Sequence, residues 1–182
     1  STGRATCLED RFPEAYHAAL SLIAGASLPD DAFAARLMFL SEADKLKTVL
    51  RASKIAAGTR LENSAEHSWH IMMYAWILSP HSLAGIELDR VLTMLLLHDL
   101  VEIDAGDVPI HSAPDAAETA RIEAAECDAA RRIFGLLPMP QSEICMDLWQ
   151  EFEAAESADA IFAKSIDRIQ PVLLNLANGG GS

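Results

Sequence analysis

Two neighbouring side chains, His98 and Asp99, stand near the end of a nearly all-apolar run of the sequence. Burying an imidazole and a carboxylate together is costly unless something compensates both groups. A divalent metal ion would do so, because imidazole nitrogen and carboxylate oxygen are both good ligands for it. Glu102 follows His98 by four residues and projects near the same helix face, and Asp107 lies in the turn just beyond. Taken alone, the pair is also typical of a buried histidine beside a helix-capping aspartate.

Two more distant segments could complete such a metal site. His67 falls in the first turn of a predicted helix, where a neutral imidazole could serve as a ligand. Asp167 places a carboxylate in an apolar helix late in the chain, and Asp159, eight residues earlier, competes for the same role. The alternative for Asp167 is an ion pair with Lys164 or Arg168 on the solvent-exposed side of that helix.

A basic stretch lies just upstream of His67. Between residues 45 and 60 the chain has five of its fourteen Lys and Arg residues and no Asp or Glu. Such runs usually form a solvated face, but in an acidic chain this one could also bind an anionic substrate. Arg51 can hold a phosphate through two hydrogen bonds at once, so Arg51 and Lys54 are the candidate substrate-binding residues.

Together these residue types fit the hydrolysis of a phosphate monoester, a dianion that water attacks only slowly. A divalent ion neutralises phosphoryl oxygens and lowers the pKa of a bound water molecule. Glu102 could accept the proton of the attacking water while Asp107 protonates or positions the leaving alkoxide. The two roles could equally be exchanged.

Composition narrows the choice of partners. The chain has 182 residues, and 51% of them are hydrophobic, a fraction that excludes intrinsic disorder. Its formal net charge of −13 argues against nucleic-acid polymers and anionic membranes as partners. The apolar runs are too short to span a membrane. Three cysteines without a C-x-x-C pair indicate reduced thiols and a cytoplasmic protein.

Helical periodicity dominates the chain, and no run of residues alternates convincingly as a strand would. The pattern predicts a single all-α domain, a compact bundle of about six or seven helices, with a division into a helical N-terminal extension (1–30), the main domain (31–177) and a flexible tail (178–182). The predicted helices are residues 12–24, a helix from Asp30 or Asp31 towards Leu46, a helix from Asn63 or Ser64 to 79, a buried helix capped by Asp89 and ending at 97, and helices 115–134, 142–156 and 157–177.

The spacing of His67, the His98-Asp99 pair and Asp167 resembles the H…HD…D signature of the HD-domain metal-dependent phosphohydrolases. Three further segments are similar to the 5′-deoxynucleotidase-like branch of that family. They are E-N-S-A-E-H-S at 62–68, the H-D-x-x-E…G-D-[ILV]-P block at 98–109 and the weaker L-K-x-x-x-R element at 46–51. The resemblance extends over roughly residues 33–174 and is most specific in the second of these segments.

The resemblance implies an HD domain over residues 31–177 that holds one divalent ion through His67, His98, Asp99 and Asp167. The metal could be Mn, Co, Mg, Zn, Ni or Fe. It also implies that Glu102 and Asp107 are the acidic residues that orient or activate water.

Arg51 matches the phosphate-side arginine of the same branch. The implied activity is the release of phosphate from nucleoside or deoxynucleoside 5′-monophosphates by a homodimer, and the long helix at 115–134 could supply the dimer interface. Base and sugar preference are left open.

Two other functions compete with this interpretation. A di-iron oxygenase would need additional histidines between the His98-Asp99 pair and Asp167, and only His111 lies there. A non-catalytic protein that binds a metal or nucleotide would keep the site without turnover, but the presence of both Glu102 and Asp107 favours an enzyme.

Overall fold

The computed structural model describes residues 31–82, 85–108 and 115–179. Its helices there are α1 (Asp31–Ala43), α2 (Ser64–Leu78), α3 (Leu88–Leu97), the short α4 (Glu102–Ala105), α5 (Ala116–Phe134), α6 (Gln141–Ala154) and α7 (Ala158–Ala177), with 3₁₀ turns at Asp44–Thr48, Ser79–His81 and His98–Val101. The predicted all-α class is confirmed. The helix predicted at 12–24, the N-terminal extension and the last three residues of the tail lie outside the described residues.

Helix α3 forms the centre of the bundle and packs against α2, α6 and α7. Val91, Met94 and Leu95 are completely buried, and each such side chain stabilises the fold by about 1.5–3 kcal/mol. Leu96, by contrast, is 52% exposed, so α3 has one solvent-facing side although its sequence is almost entirely apolar. Because α3 is held on three sides, the residues that follow its last turn are placed rigidly in the interior.

Local capping explains where several helices begin. Asn63 accepts a hydrogen bond from the backbone N–H of Glu66, whose side chain bonds back to the Asn63 N–H, which completes the predicted capping box of α2. Asp115 caps α5 and Ser157 caps α7, and each side chain accepts a hydrogen bond from the backbone N–H three residues later. The predicted cap of α3 is wrong: Asp89 lies inside the first turn and no side chain caps the helix.

Two helix limits also differ from prediction. Helix α1 ends at Ala43, and Leu46 lies in the 3₁₀ turn that follows, where it is buried. Helix α6 ends at Ala154 because Ala155 adopts a left-handed conformation with φ of 51°. In both cases a tighter or reversed turn ends the helix without a glycine or proline signal in the sequence.

A two-stranded antiparallel hairpin interrupts the helices, and the expectation of no strands is wrong here. Strand β1 (Leu50–Lys54) pairs with β2 (Leu61–Asn63), with Leu50 opposite Asn63 and Lys54 opposite Leu61. The connecting turn uses a positive φ at Gly58 and packs against Asn178 at the end of α7, where the Asn178 amide donates to the Ile55 carbonyl. The hairpin carries three of the five basic residues of the stretch, Arg51, Lys54 and Arg60, and directs Arg51 into the molecule.

Across the described ranges, no helix is both long enough and apolar enough to cross a membrane.

Candidate metal centre and active site

Three elements bring two histidines and two aspartates together. His67 lies one turn into α2, His98 and Asp99 begin the 3₁₀ turn after α3, and Asp167 lies in the middle of α7. Oδ1 of Asp167 is 2.9 Å from Nε2 of His67 and 3.7 Å from Nε2 of His98, and Oδ1 of Asp99 is 2.8 Å from Nε2 of His98. His67, His98 and Asp167 form a group whose ligand atoms all lie within 4.8 Å of one another, the one such group in the described part of the chain.

The two imidazoles present the nitrogen that a metal ion would need. Nδ1 of His98 donates its proton to the backbone carbonyl of Leu95 at 2.9 Å, so Nε2 is the nitrogen on which a metal ion could replace a proton. That Nε2 is buried and forms no hydrogen bond, although Oδ1 of Asp99 is close to it. An unsatisfied buried nitrogen is costly, and a bound cation would satisfy it.

The separation of the ligand atoms also fits a single ion. Ligand atoms at about 2.1 Å from one octahedral metal ion lie roughly 3 Å apart, and the His67–Asp167 separation of 2.9 Å matches this value. The residues present therefore fit one divalent cation held by imidazole nitrogen and carboxylate oxygen.

Arg51 lies within the same site and faces four carboxylates. Its Nη1 is 3.0 Å from Oδ2 of Asp99, 3.7 Å from Oε1 of Glu102 and 3.5 Å from Oδ1 of Asp107, and its Nε is 4.0 Å from Oε2 of Glu62. The Arg51 side chain is only 8% exposed. One guanidinium does not neutralise this many buried acidic groups, so the site is left with an excess of negative charge that favours a divalent cation.

The histidine and aspartate pKa values show the same excess of negative charge. Burial lowers the pKa of His98, but the nearby carboxylates of Asp99 and Asp167 outweigh this effect and raise the pKa to about 10. Burial likewise lowers the pKa of His67, and the nearby carboxylates of Asp167 and Glu62 more than reverse this effect. The histidines in turn hold the pKa of Asp167 well below its usual range despite burial. Protons thus occupy the positions that a cation would otherwise fill.

Glu102 titrates in the opposite direction. Burial and the nearby charge of Asp99 raise the pKa of Glu102 to about 8, against the opposing effects of Ser64 and Arg51. The Ser64 hydroxyl donates to Oε2 of Glu102 at 2.5 Å and so fixes that carboxyl group from the first residue of α2. A carboxyl group with such a pKa can exchange a proton near neutral pH.

An open cavity of about 190 Å³ lies beside these groups. Arg51 and three of the candidate ligands, His98, Asp99 and Asp167, line it together with residues of α5, α6 and α7. Among these residues, Nζ of Lys164 contacts both carboxylate oxygens of Glu153 at 2.9 and 3.0 Å and lies 4.1 Å from the centre of the Phe152 ring. The residues that line the cavity are Arg51, His98, Asp99, Val101, Glu102, Asp107, Val108, Glu126, Phe152, Glu153, Lys164 and Asp167.

Comparison with known proteins identifies the family. A family model described as the HD domain matches residues 43–182. The chain belongs to the HD-domain family.

Two solved structures share the fold of this HD domain. The crystal structure of a predicted metal-dependent phosphohydrolase from Magnetospirillum magnetotacticum MS-1 is 46% identical and has a TM-score of 0.79, covering 86% of this chain and 76% of that one. An HD-domain phosphohydrolase from Listeria innocua has a TM-score of 0.61 at 14% identity, covering 74% and 65% of the two chains. The second similarity concerns the fold alone.

Curated relatives of the HD domain include human 5′-deoxynucleotidase HDDC2, which is 29% identical over 139 residues. That match covers 75% of this chain and 65% of the human protein, so the chain spans about two thirds of the length of the relative. The 5′-deoxynucleotidase HDDC2 of Dictyostelium discoideum is 28% identical over 143 residues, covering 75% of this chain and 74% of the relative.

The structure brings most of the predicted site residues together, but not all of them. His67, His98, Asp99, Asp167, Glu102, Asp107 and Arg51 share one site. Lys54 is exposed and does not line the cavity. Asp159 lies away from the histidines, where it accepts a hydrogen bond from the Glu87 backbone N–H and faces Arg90.

The other basic residues near Arg51 are engaged elsewhere. Lys45 pairs with Glu42, Lys47 with Asp44, and Arg60 with Glu66. Lys164, which the sequence offered as a partner of Asp167, pairs with Glu153 instead.

Four polar residues near the site were not predicted as site residues from the sequence. Glu62 and Ser64 stand within the E-N-S-A-E-H-S segment, so their position beside His67 was a signal that could have indicated them. Gln170 and Lys164 stand three residues after and before Asp167, a spacing that brings residues close together on a helix.

Proposed function

We propose that this protein is a metal-dependent phosphohydrolase that releases phosphate from nucleoside or deoxynucleoside 5′-monophosphates. The observation that carries the proposal is the meeting of two buried imidazoles and two aspartates beside a cavity in which Arg51 faces the acidic pair Glu102 and Asp107. The human relative is a 5′-deoxynucleotidase and the Magnetospirillum relative is a predicted metal-dependent phosphohydrolase, and both support the same activity.

In this proposal His67, His98, Asp99 and Asp167 hold one divalent ion. A site of imidazole and carboxylate ligands accepts Mn, Co, Mg, Zn, Ni or Fe. When bound, the ion supplies positive charge to the phosphoryl oxygens and increases the acidity of water. The remaining steps belong to side chains of the protein.

Arg51 binds and orients the phosphate group. Its guanidinium lines the cavity and is held in place by Asp99, Glu102 and Asp107. Because the guanidinium is planar and always charged, it can donate two parallel hydrogen bonds to phosphate oxygens. A small monophosphate fits this arrangement, whereas a polymer with many phosphates would meet the acidic surface of a chain with a net charge of −13.

Glu102 and Asp107 divide the proton transfers. The oxygen of water forms a bond to phosphorus while the bond from phosphorus to the ester oxygen breaks. One of the two carboxyl groups accepts the proton that water loses, and the other donates a proton to the departing 5′-alkoxide, so that the products are a nucleoside and inorganic phosphate. The hydroxyl of Ser64 keeps the Glu102 carboxyl group oriented towards the cavity.

The test is the release of inorganic phosphate from a panel of 5′-ribo- and 5′-deoxyribonucleoside monophosphates, with Mn²⁺, Co²⁺ or Mg²⁺ and with a chelator. We expect release that depends on the metal, and a loss of about 100-fold or more in kcat for Glu102→Gln at equal metal occupancy. The Lys54→Met variant serves as the matched control because Lys54 lies outside the cavity. No release from any monophosphate with any metal would overturn the proposal.

We also propose a homodimer formed through α2 and α7. These helices pack against each other and expose large apolar side chains, namely Trp69, Met73, Trp76, Ile77, Ile169, Val172, Leu173 and Leu176. No Asp, Glu, Lys or Arg occurs between residues 67 and 86 or after residue 168. Exposed aromatic and methionine side chains in such uncharged segments are typical of interface centres.

The area of this face agrees with a dimer. Each of the eight side chains is more than a third exposed, and together they offer an apolar area of the order of the roughly 800 Å² per partner found in stable interfaces. Helix α5, which the sequence suggested as the interface, exposes no large hydrophobic side chain among its described residues.

We propose that the protein acts in the cytoplasm. Cys127 and Cys145 are free thiols, and thiols stay reduced in that compartment. Cell fractionation with a compartment marker tests this location, and recovery of the protein from a secreted fraction would contradict it.

A further inference from the structure

We propose that Gln170, held in turn by Glu62, is a positioning residue that fixes which nitrogen of His67 carries a proton. The inference rests on the proposed metal site, because the nitrogen left free is the one that faces Asp167.

Gln170 is an unusual residue for its surroundings. It lies in α7 one turn after Asp167, and its side chain is completely buried. A buried amide without partners is costly, and an apolar residue could have filled this position at lower cost. The interior of the helix therefore retains an amide whose hydrogen bonds compensate its burial.

Every polar atom of that amide has a partner. Oε1 of Gln170 is 3.1 Å from Nδ1 of His67, and its Nε2 donates to Oε1 of Glu62 at 2.9 Å and to Nδ1 of His70 at 3.0 Å. The side chains of His67 and Glu62 are themselves buried. The four groups form one hydrogen-bonded network between α2, β2 and α7.

Glu62 determines the orientation of the amide. A carboxylate only accepts hydrogen bonds, so the group that faces it must be the NH₂ of Gln170. Rotating the amide by 180° would place a carbonyl oxygen against the Glu62 carboxylate in a buried site, where the repulsion is not screened. The carbonyl oxygen of Gln170 is therefore directed towards His67.

The orientation of the amide determines the tautomer of His67. Since Oε1 of Gln170 only accepts, Nδ1 of His67 must carry a proton and donate it. Nε2 of His67 is then left to face Oδ1 of Asp167, 2.9 Å away, as the atom available to a cation. His98 achieves the same result by a different route, with the Leu95 carbonyl as acceptor.

Helix α7 thus contributes twice to the site. Asp167 is a proposed ligand, and Gln170, three residues later, lies near it on the helix and directs a second ligand. Residues that orient metal-bound histidines typically change metal affinity by roughly 10- to 100-fold.

The test compares wild type, Gln170→Met, Glu62→Gln and the control His70→Phe for Zn²⁺ affinity, with ¹⁵N NMR of the imidazole nitrogens in the zinc-loaded protein. Gln170→Met keeps the side-chain length but removes donor and acceptor. Glu62→Gln removes the carboxylate that fixes the amide. Because it is a smaller change, it tests the same network if Gln170→Met does not fold. His70→Phe removes the other partner of the Gln170 amide without touching Glu62 or His67.

We expect zinc binding to weaken roughly 10- to 100-fold in Gln170→Met and by a smaller factor in Glu62→Gln. His70→Phe should stay within about twofold of wild type, since it leaves the Glu62–Gln170–His67 contacts in place. In wild type and His70→Phe, the NMR spectrum should show a protonated Nδ1 and a zinc-bound Nε2 at His67, and this signature should weaken or divide in the other two variants.

Two results would overturn the inference. One is zinc ligation by Nδ1 of His67 in wild type, and the other is wild-type affinity with an unchanged NMR signature in both Gln170→Met and Glu62→Gln. If the four proteins show the expected zinc affinities and NMR signatures but wild type releases no phosphate, the result would contradict the proposed function alone and support the role of Gln170.

Discussion

Arg51 is the residue on which the charge balance of the cavity depends. It is buried and faces Asp99, Glu102 and Asp107 at 3.0–3.7 Å, so its removal would take away the guanidinium charge that faces three acidic groups. Removing one partner of a buried charged group usually costs about 3–5 kcal/mol.

We therefore expect Arg51→Met to lower the free energy of unfolding by about 3 kcal/mol or more in chelator, measured by urea denaturation. Added Mn²⁺ should recover part of this loss, because it brings positive charge to the same carboxylates. Lys54→Met, three residues along the same strand but exposed, should change stability by less than about 0.5 kcal/mol. Equal effects of the two substitutions would contradict the charge balance described here.

Glu102 should make the metal-free protein less stable as the pH rises. Its pKa is raised in the folded protein to about 8 from an ordinary value of 4.5, so the unfolded chain loses its proton first. This group therefore lowers stability progressively between pH 4.5 and about pH 8, and not further above that.

Glu102→Gln removes the titration and keeps an acceptor for the Ser64 hydroxyl. In chelator we expect the variant to be more stable than wild type at pH 8, by a free energy of the order of 2 kcal/mol, with the difference disappearing towards pH 4.5. Urea unfolding at several pH values measures this. A constant difference across the range would show that Glu102 has an ordinary pKa.

At the scale of elements, two of the three helices that carry proposed ligands begin at a local side-chain cap. Asn63 and Glu66 form the capping box of α2, which carries His67, and Ser157 caps α7, which carries Asp167. Replacing an N-cap by alanine costs about 1 kcal/mol.

We expect Asn63→Ala to lower the free energy of unfolding by about 1 kcal/mol and to weaken metal binding, because His67 lies in the turn next to the cap. Ser157→Ala should cost a similar free energy but leave metal affinity unchanged, since Asp167 lies more than two turns further along α7. Thermal unfolding and a metal titration separate the two effects. Equal changes of metal affinity in both variants would be inconsistent with local positioning.

The helices that could be predicted from the sequence are those with a capping residue at their own N-terminus. Asn63, Asp115 and Ser157 each cap the helix that follows them. The hairpin at 50–63 could not be predicted, because its strands are short, alternate weakly and depend on a contact with Asn178 more than a hundred residues away.

The same hairpin explains why only one of two candidate substrate-binding residues reaches the cavity. Residues three apart share a face on a helix but point to opposite sides of a strand. Once 50–54 forms a strand, Arg51 is buried and Lys54 is exposed. Motif spacing predicted that His67, His98, Asp99 and Asp167 share one site, and the structure brings them together. Gln170 was not predicted, because its proposed role depends on the orientation of an amide that no spacing reveals.

For the whole molecule, the apolar face of α2 and α7 is the proposed interface of a homodimer. We expect Trp76→Glu to convert the dimer to a monomer in sedimentation velocity, because Trp76 is 57% exposed in the middle of the uncharged stretch. A buried unpaired charge is strongly unfavourable at an interface.

The matched variant is Glu123→Lys on the exposed side of α5, the helix that the sequence suggested as the interface. It should leave the dimer intact. Dissociation by Glu123→Lys but not by Trp76→Glu would place the interface on α5 instead.

The count of bound metal ions per chain tests the central claim most directly. Mass spectrometric metal analysis after dialysis against Mn²⁺ should give one ion per chain for wild type, none for Asp167→Asn and one for Asp159→Asn, since Asp159 lies on the same helix but bonds to the Glu87 backbone and faces Arg90. Full occupancy in Asp167→Asn, or an empty wild-type protein, would contradict a metal centre formed by His67, His98, Asp99 and Asp167.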